Sequence, residues 1–243
     1  MNLEIVLVRH GQSVGNRDRV FVGHGPGGLT DLGHRQAEAA AAALAAMSRP
    51  SRPGSSEGTA RQPAPIEAIY VSDLPRAVET AAPLARLTGM TPIVDAALRE
   101  RDVGAYTGLT FEDVMARDPS GWERLLGRDP DHRPDAGESH RDCRLRVAAF
   151  FDAVQRRHGS DPAHPDASRP NAQLASTSRI VLVSHGVAIN HMLRHALELP
   201  VESRSLFVID NCSLSRLQHR PEGAVHVLTI NDRSHLLGVA ANP

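Results

Sequence analysis

Two stretches of this chain end alike: Ile5-Val6-Leu7-Val8-Arg9-His10-Gly11 and Ile180-Val181-Leu182-Val183-Ser184-His185-Gly186. Each is an apolar, largely β-branched run that stops at Leu-Val-x-His-Gly. Such a run reads as a buried strand, and the glycine as the point where the chain turns out of the sheet. The two histidines then emerge at carboxyl ends of strands. In open α/β sheets that edge is where ligands bind.

The rest of the chain alternates in the same sense. Thr30-Asp31-Leu32-Gly33 offers a cap to an alanine-rich helix over 36–47. A strand over 66–71 is followed by Ser72-Asp73-Leu74-Pro75-Arg76, where Pro75 suits a first helical turn and Ser72 or Asp73 would cap it. That helix should run to about Leu87 and stop at Gly89. A short strand near 92–94 and a charged loop over 98–108 come next, then a short helix over 111–117. Ser139-His140-Arg141-Asp142 resembles a capping box for a longer helix through Val154. A helix over 187–197 and two strands near 213–217 and 225–230 complete the pattern. The expected fold is a three-layer α/β sandwich with a mostly parallel central sheet flanked by helices.

With 243 residues, 41% of them hydrophobic, residues 1–243 suit one large α/β domain. Segments 48–65 and 159–178 are polar and proline-bearing, and read as flexible surface insertions. The formal net charge of −1 gives no bulk argument for nucleic acid or membrane binding. Every basic residue outside the histidines is arginine, so an anion site must use Arg or His, and lysine Schiff-base chemistry is excluded. Cys143 and Cys212 show no metal or redox spacing and read as free thiols. The chain enters its first strand by residue 3, and no apolar run is long enough to span a bilayer. A cytoplasmic protein is the expectation, with no oligomeric state legible and a homodimer open to it.

Arg9 with His10, Arg76 in the first turn of its helix, Glu100 and His185 should meet at one sheet edge. Two arginines can fork onto an oxyanion, and helix N-termini add donors and partial positive charge. The composition is that of a phosphate pocket. There is no Gly-x-x-x-x-Gly-Lys-Ser/Thr loop and no acidic cluster spaced for metal ions, so neither metal nor cofactor is expected. Arginines and a protonatable histidine could offset the charge of a transferring phosphoryl group. These residues leave open which histidine would attack.

Arg9-His10-Gly11, Ser72-x-Leu74-x-Arg76-Ala77-x-x-Thr80, Glu100-x-x-x-Gly104 and Ser184-His185-Gly186 together resemble the histidine phosphatase superfamily, which holds the cofactor-dependent phosphoglycerate mutases and many phosphatases. The motifs follow the family's order from residue 9 to 186. The resemblance implies a phosphoglycerate mutase-like fold, with His10 as the nucleophile that becomes phosphohistidine. Arg9, Arg76 and His185 would hold the phosphoryl oxygens, with Gly186 beside them. Glu100 would protonate the leaving oxygen and then activate water. Asn16 matches a polar position of the family's phosphate pocket, and Ser13 is a second candidate to face it. Flanking arginines would also keep His10 neutral and nucleophilic.

Within that family the mutases carry Asn after the second His-Gly, where this chain has Val187. Their Arg-His-Tyr-Gly after the glutamate is here Arg101-Asp102-Val103-Gly104, and no paired-arginine segment appears between Phe111 and Gly137. A phosphatase acting on a small phosphorylated metabolite is therefore expected, with a phosphoglycerate mutase or a non-catalytic phosphate-binding module as alternatives. Arg99 and Arg101 suggest an exposed, salt-bridged loop around Glu100. His24, His34, His140, His191 and His195 read as surface residues, although His191 and His195 are spaced i, i+4 as a metal pair would be. Trp122 reads as packing a cap segment.

Overall fold

The computed structural model describes residues 2–48, 64–125, 129–159, 177–202, 207–220 and 223–239. Six strands form one sheet: β1 (Asn2–Arg9), β2 (Ile66–Val71), β3 (Ile93–Val94), β4 (Thr177–Ser184), β5 (Leu214–His219) and β6 (Val225–Asp232). Their order is β3-β2-β4-β1-β5-β6. The four strands from β3 to β1 are parallel, and β5 pairs antiparallel with both β1 and β6. The helices are α1 (Val14–Arg17), α2 (Asp31–Met47), α3 (Pro75–Thr88), α4 (Phe111–Arg117), α5 (Pro119–Glu123), α6 (His140–His158) and α7 (Gly186–Ala196).

Strand periodicity explains the three layers. Successive side chains of a strand point to opposite faces, so the apolar runs feed two cores. Leu3, Ile5, Leu7, Ile180 and Leu182 pack with Phe151 of α6 and Ile189, Met192 and Leu193 of α7. Val6, Val8, Val181 and Val183 pack on the other face with Ala41 and Leu44 of α2 and Ala77, Ala81 and Leu84 of α3. Side chains of this size each contribute about 1.5–3 kcal/mol on full burial. Buried Ala37, Ala40, Ala41 and Leu44 line one helical stripe of α2, where small side chains bring the helix close to its neighbours.

The β1–β4 register positions the chemistry. Leu7 pairs with Leu182, Val8 with Val183 and Arg9 with Ser184, so the two Leu-Val-x-His-Gly endings lie side by side, position for position. Val71 pairs with Val183, which puts Ser72 at the same edge, its N–H donating to the Val183 carbonyl at 3.0 Å.

Several local details differ from expectation. The stretch from Asn16 to Gly28, whose Gly, Asn and Asp content reads as a loop, begins inside α1, which Ser13 and Asn16 cap. Neither Ser72 nor Asp73 caps α3: the N-cap is Leu74, without a side-chain bond, and Pro75 needs no partner there. Ser72 Oγ instead accepts from Leu74 N and meets His185, while Asp73 is drawn to Arg99 by a two-pronged ion pair. The other helix ends agree: Thr30 caps α2, Ser139 and Asp142 form a capping box on α6, and α3 stops at Gly89 with φ +71°. The expected insertions at 48–65 and 159–178 fall mainly outside the described residues. Among the described residues no helix is long and apolar enough to cross a membrane.

Candidate active site

His10 and His185 leave adjacent parallel strands one residue beyond their last pair, and their ring centroids stand 5.0 Å apart. Both are buried. The His10 N–H donates to the Ser184 carbonyl at 3.0 Å, fixing the exit from β1. His10 Nδ1 lies 2.7 Å from the Gly11 carbonyl oxygen. A carbonyl can only accept, so this contact places the proton of the neutral ring on Nδ1 and leaves the Nε2 lone pair free. Burial, then the charges of Arg9 and Arg76, hold the His10 pKa well below 6.5, and the Gly11 contact offsets only part of that. The ring is neutral at pH 7. His185 is shifted the same way, chiefly by burial and then by His10 and the two arginines.

Arg76, in the first turn of α3, is buried and gives Nη2 to the Gly23 carbonyl at 2.8 Å. Arg9 gives Nη1 to the Ile209 carbonyl at 2.6 Å. Each guanidinium keeps another nitrogen buried without a partner: Nε of Arg9 and Nη1 of Arg76. Nδ1 of His185 is in the same condition. A buried donor without an acceptor costs about 1–3 kcal/mol, so two guanidinium N–H groups in that condition, with an unpartnered imidazole nitrogen beside them, describe a site built to receive an anion. Burial lowers both arginine pKa values, and Glu100 raises each in return.

Glu100 sits across α7's first turn. Its Oε1 accepts from Arg101 N at 3.0 Å, Val187 N at 3.1 Å and Ala188 N at 3.2 Å. The free amides of a helix N-terminus hold this carboxyl group where a side-chain cap is missing. Gly186 lies between the two groups, its Cβ position 3.5 Å from Arg9 Nε and 3.8 Å from Glu100 Oε2. The structure therefore gathers Arg9, His10, Arg76, Glu100, His185 and Gly186 at one edge. Asn16 and Ser13 stand beside them in a different condition. The Ser13 hydroxyl donates to Asn16 Oδ1 at 3.1 Å, and Asn211 Nδ2 donates to the same oxygen at 3.0 Å. Ser13 is committed to the α1 turn; Asn16 retains its amide nitrogen.

Several supporting residues carried no signal of their own in the sequence. Thr80 Oγ1 accepts from Gly11 N at 3.0 Å and donates to the Arg76 carbonyl at 2.6 Å, locking the loop after β1 to the helix that carries Arg76. Asn211 Nδ2 also donates to the His10 carbonyl at 3.0 Å. Arg146 of α6 reaches the carbonyls of Ala97, Arg99 and Glu100 and pairs with Glu138 at 2.6 Å, clamping the loop under Glu100. Ser72 and Thr80 lie inside the motif quoted above, but their i, i+8 spacing does not reveal partners on other strands.

The loop around Glu100 is not the exposed one expected. Arg99 does pair with Asp73, but Arg101 is buried at 4% exposure, its Nη1 3.5 Å from the Glu138 carbonyl. His191 is also buried rather than on the surface, because α6 covers that side of α7. Its Nε2 lies 3.2 Å from His140 Nδ1, and burial pushes its pKa down to about 2 and that of His140 to about 4. His195 turns instead to Asp152 at 2.7 Å, so the i, i+4 pair points at different partners. Trp122 packs with Phe21 and Phe111, tying the cap helices to the 18–29 segment.

The pattern described as the histidine phosphatase superfamily (branch 1) matches residues 5–233. The chain is 32% identical over 232 residues to a protein named Bifunctional protein Rv2228c from Mycobacterium tuberculosis, covering 96% of this chain and 54% of that one, so it spans about half that relative's length. It is 30% identical over 240 residues to a protein named Probable phosphoglycerate mutase GpmB from Klebsiella pneumoniae, covering 96% of this chain and 95% of that one. Among solved structures, the mycobacterial glucosyl-3-phosphoglycerate phosphatase Rv2419c superposes with a TM-score of 0.71 at 28% identity, covering 94% and 98% of the two chains. With its two strand-end histidines in register and the match running through nearly all of the sequence, the chain belongs to the histidine phosphatase superfamily.

Proposed function

We propose that the chain hydrolyses a small phosphomonoester without a metal ion, through a phosphohistidine at His10. One observation carries the reading: three buried nitrogens without partners, two of them guanidinium N–H groups, lie beside a neutral histidine whose Nε2 is unprotonated. In the first step His10 Nε2 attacks phosphorus and the ester P–O bond breaks. Glu100 enters this step as the acid, its proton on Oε2 while Oε1 accepts from the amides, and gives that proton to the departing oxygen. In the second, water attacks the phosphohistidine, gives its proton to Glu100, and the N–P bond breaks to release inorganic phosphate and restore His10.

Arg9, Arg76 and His185 hold the equatorial oxygens, where preorganised donors count most. A Ser72 hydroxyl donating to His185 Nε2, 2.9 Å away, leaves the His185 proton on Nδ1, directed at the phosphoryl group. The Asn16 amide nitrogen is a further donor to it, with Ser13 orienting that amide. Glucosyl-3-phosphoglycerate phosphatase among the similar structures supports phosphatase chemistry. The relatives named as phosphoglycerate mutase keep a second reading in play, against which stand Val187 and Arg101-Asp102-Val103-Gly104. Phosphate release from p-nitrophenyl phosphate should persist in EDTA and fall by at least about 10³-fold in His10→Ala. Phosphate release that survives this substitution sinks the mechanism. Isomerisation of phosphoglycerate stimulated by 2,3-bisphosphoglycerate, without net phosphate, would select the mutase instead.

A further inference from the structure

His24 lies on the segment between α1 and α2 and meets the loop that carries Glu100. Its Nε2 is 2.7 Å from the Glu100 main-chain carbonyl oxygen, and its Nδ1 is 3.3 Å from Asp102 Oδ2. Because a carbonyl only accepts, Nε2 carries a hydrogen. Asp102 is itself held, with Oδ1 accepting from Gly104 N at 2.9 Å. The preceding residue, Gly23, gives its carbonyl to Arg76 Nη2. Gly23 has φ +48°, and a Cβ there would stand 2.9 Å from Val103 Cγ2, so the segment lies directly against the 101–104 turn. Two adjacent residues thus grip the guanidinium on the phosphate side and the backbone of the proton carrier.

Arg146 also donates to the Glu100 carbonyl, at 3.2 Å, from the α6 side. That contact fixes Glu100 to the core. His24 fixes it to Arg76, through Gly23. We propose that His24 is a positioning residue for Glu100, setting the distance between the carboxyl group and the phosphate pocket through the main chain. The proposal rests on the phosphatase reading above. Its consequence falls on proton delivery to the leaving oxygen. A nitrophenolate departs with little help from an acid; an alkoxide needs the proton.

The test compares kcat and KM for p-nitrophenyl phosphate and glycerol 2-phosphate in the wild type, His24→Ala, His24→Gln and Glu100→Gln. Misalignment of a catalytic group by a fraction of an ångström to one ångström can cost up to about 10²-fold, so His24→Ala should lower kcat/KM on glycerol 2-phosphate by about tenfold or more. On p-nitrophenyl phosphate the loss of kcat/KM, which reports the step that expels the alcohol and not the later attack of water, should stay within about threefold, because the leaving group needs less acid assistance. Glu100→Gln should show the same selectivity, more strongly. His24→Gln, whose amide N–H can reach the same carbonyl, should recover most of the loss. If His24→Ala does not fold, His24→Asn, with a shorter amide, replaces it in the same comparison.

Equal losses of kcat/KM on both esters, or a glutamine variant no better than alanine, would overturn the positioning role while leaving the phosphatase reading intact. A wild-type protein that releases phosphate from neither ester overturns both.

Discussion

At Arg76 a single side chain has two tasks. Nη2 holds the Gly23 carbonyl, and Nη1, buried without a partner, is the nitrogen that the proposed mechanism gives to the phosphoryl group. A lysine ammonium has the charge but not the planar fork that serves two directions at once. Arg76→Lys should therefore keep its fold, as circular dichroism would show, and lose about 10²-fold in kcat/KM for p-nitrophenyl phosphate. Retention of near-wild-type kcat/KM would mean that charge alone suffices there. Residues of this kind are legible in the sequence because strand ends and first helical turns fix where they lie. His191 and Arg101 are not, since their burial is decided by α6 and the cap closing over them from far along the chain. Ser72 is legible as a turn residue but not as the partner of His185, a relation that exists only across β2 and β4.

Elements set the spacing between these groups, and the tightest approach joins the loop after β1 to the start of α2. A Cβ on Gly33 would overlap the Gln12 carbonyl oxygen, and one on Gly11 would come within 2.5 Å of the Gly33 carbonyl oxygen. Both obstacles are backbone atoms that cannot rotate away. Gly33→Ala should destabilise the protein by about 2–4 kcal/mol, read as a lower urea midpoint, and displace His10 enough to reduce turnover of the fraction that remains folded. An unchanged midpoint would show that α2 can slide without disturbing β1. Alternating apolar patterns announced the strands and helices themselves. The mostly parallel sheet was legible from that alternation; the register between neighbouring strands, and how closely α2 approached, depended on contacts between distant segments.

Across the whole molecule the histidines make stability depend on acid. His10, His185 and His191 are all buried with pKa values held below 6.5, the last at about 2. Their unfolded counterparts take up protons near 6.5, so below that pH the unfolded state binds more protons than the folded one. Stability is complete above 6.5 and declines as the pH falls toward the folded-state values. One pH unit below 6.5 the loss should be about 1 kcal/mol for each such histidine. Urea midpoints at pH 7.5 and 5.5 test this, and equal midpoints would refute it. At the end of the sheet away from His10 and His185, Glu4 is buried between Arg179 and Arg216, at 2.9 and 2.7 Å. Arg179 Nη1 also donates to Ser48 Oγ at 3.0 Å and to the Ala64 carbonyl at 3.1 Å. One guanidinium thus staples together the two points between which residues 49–63 depart and return. With that closure already made, lengthening the stretch between them carries only a logarithmic entropic penalty, so a reporter domain could be spliced in there far from the chemistry it would report on.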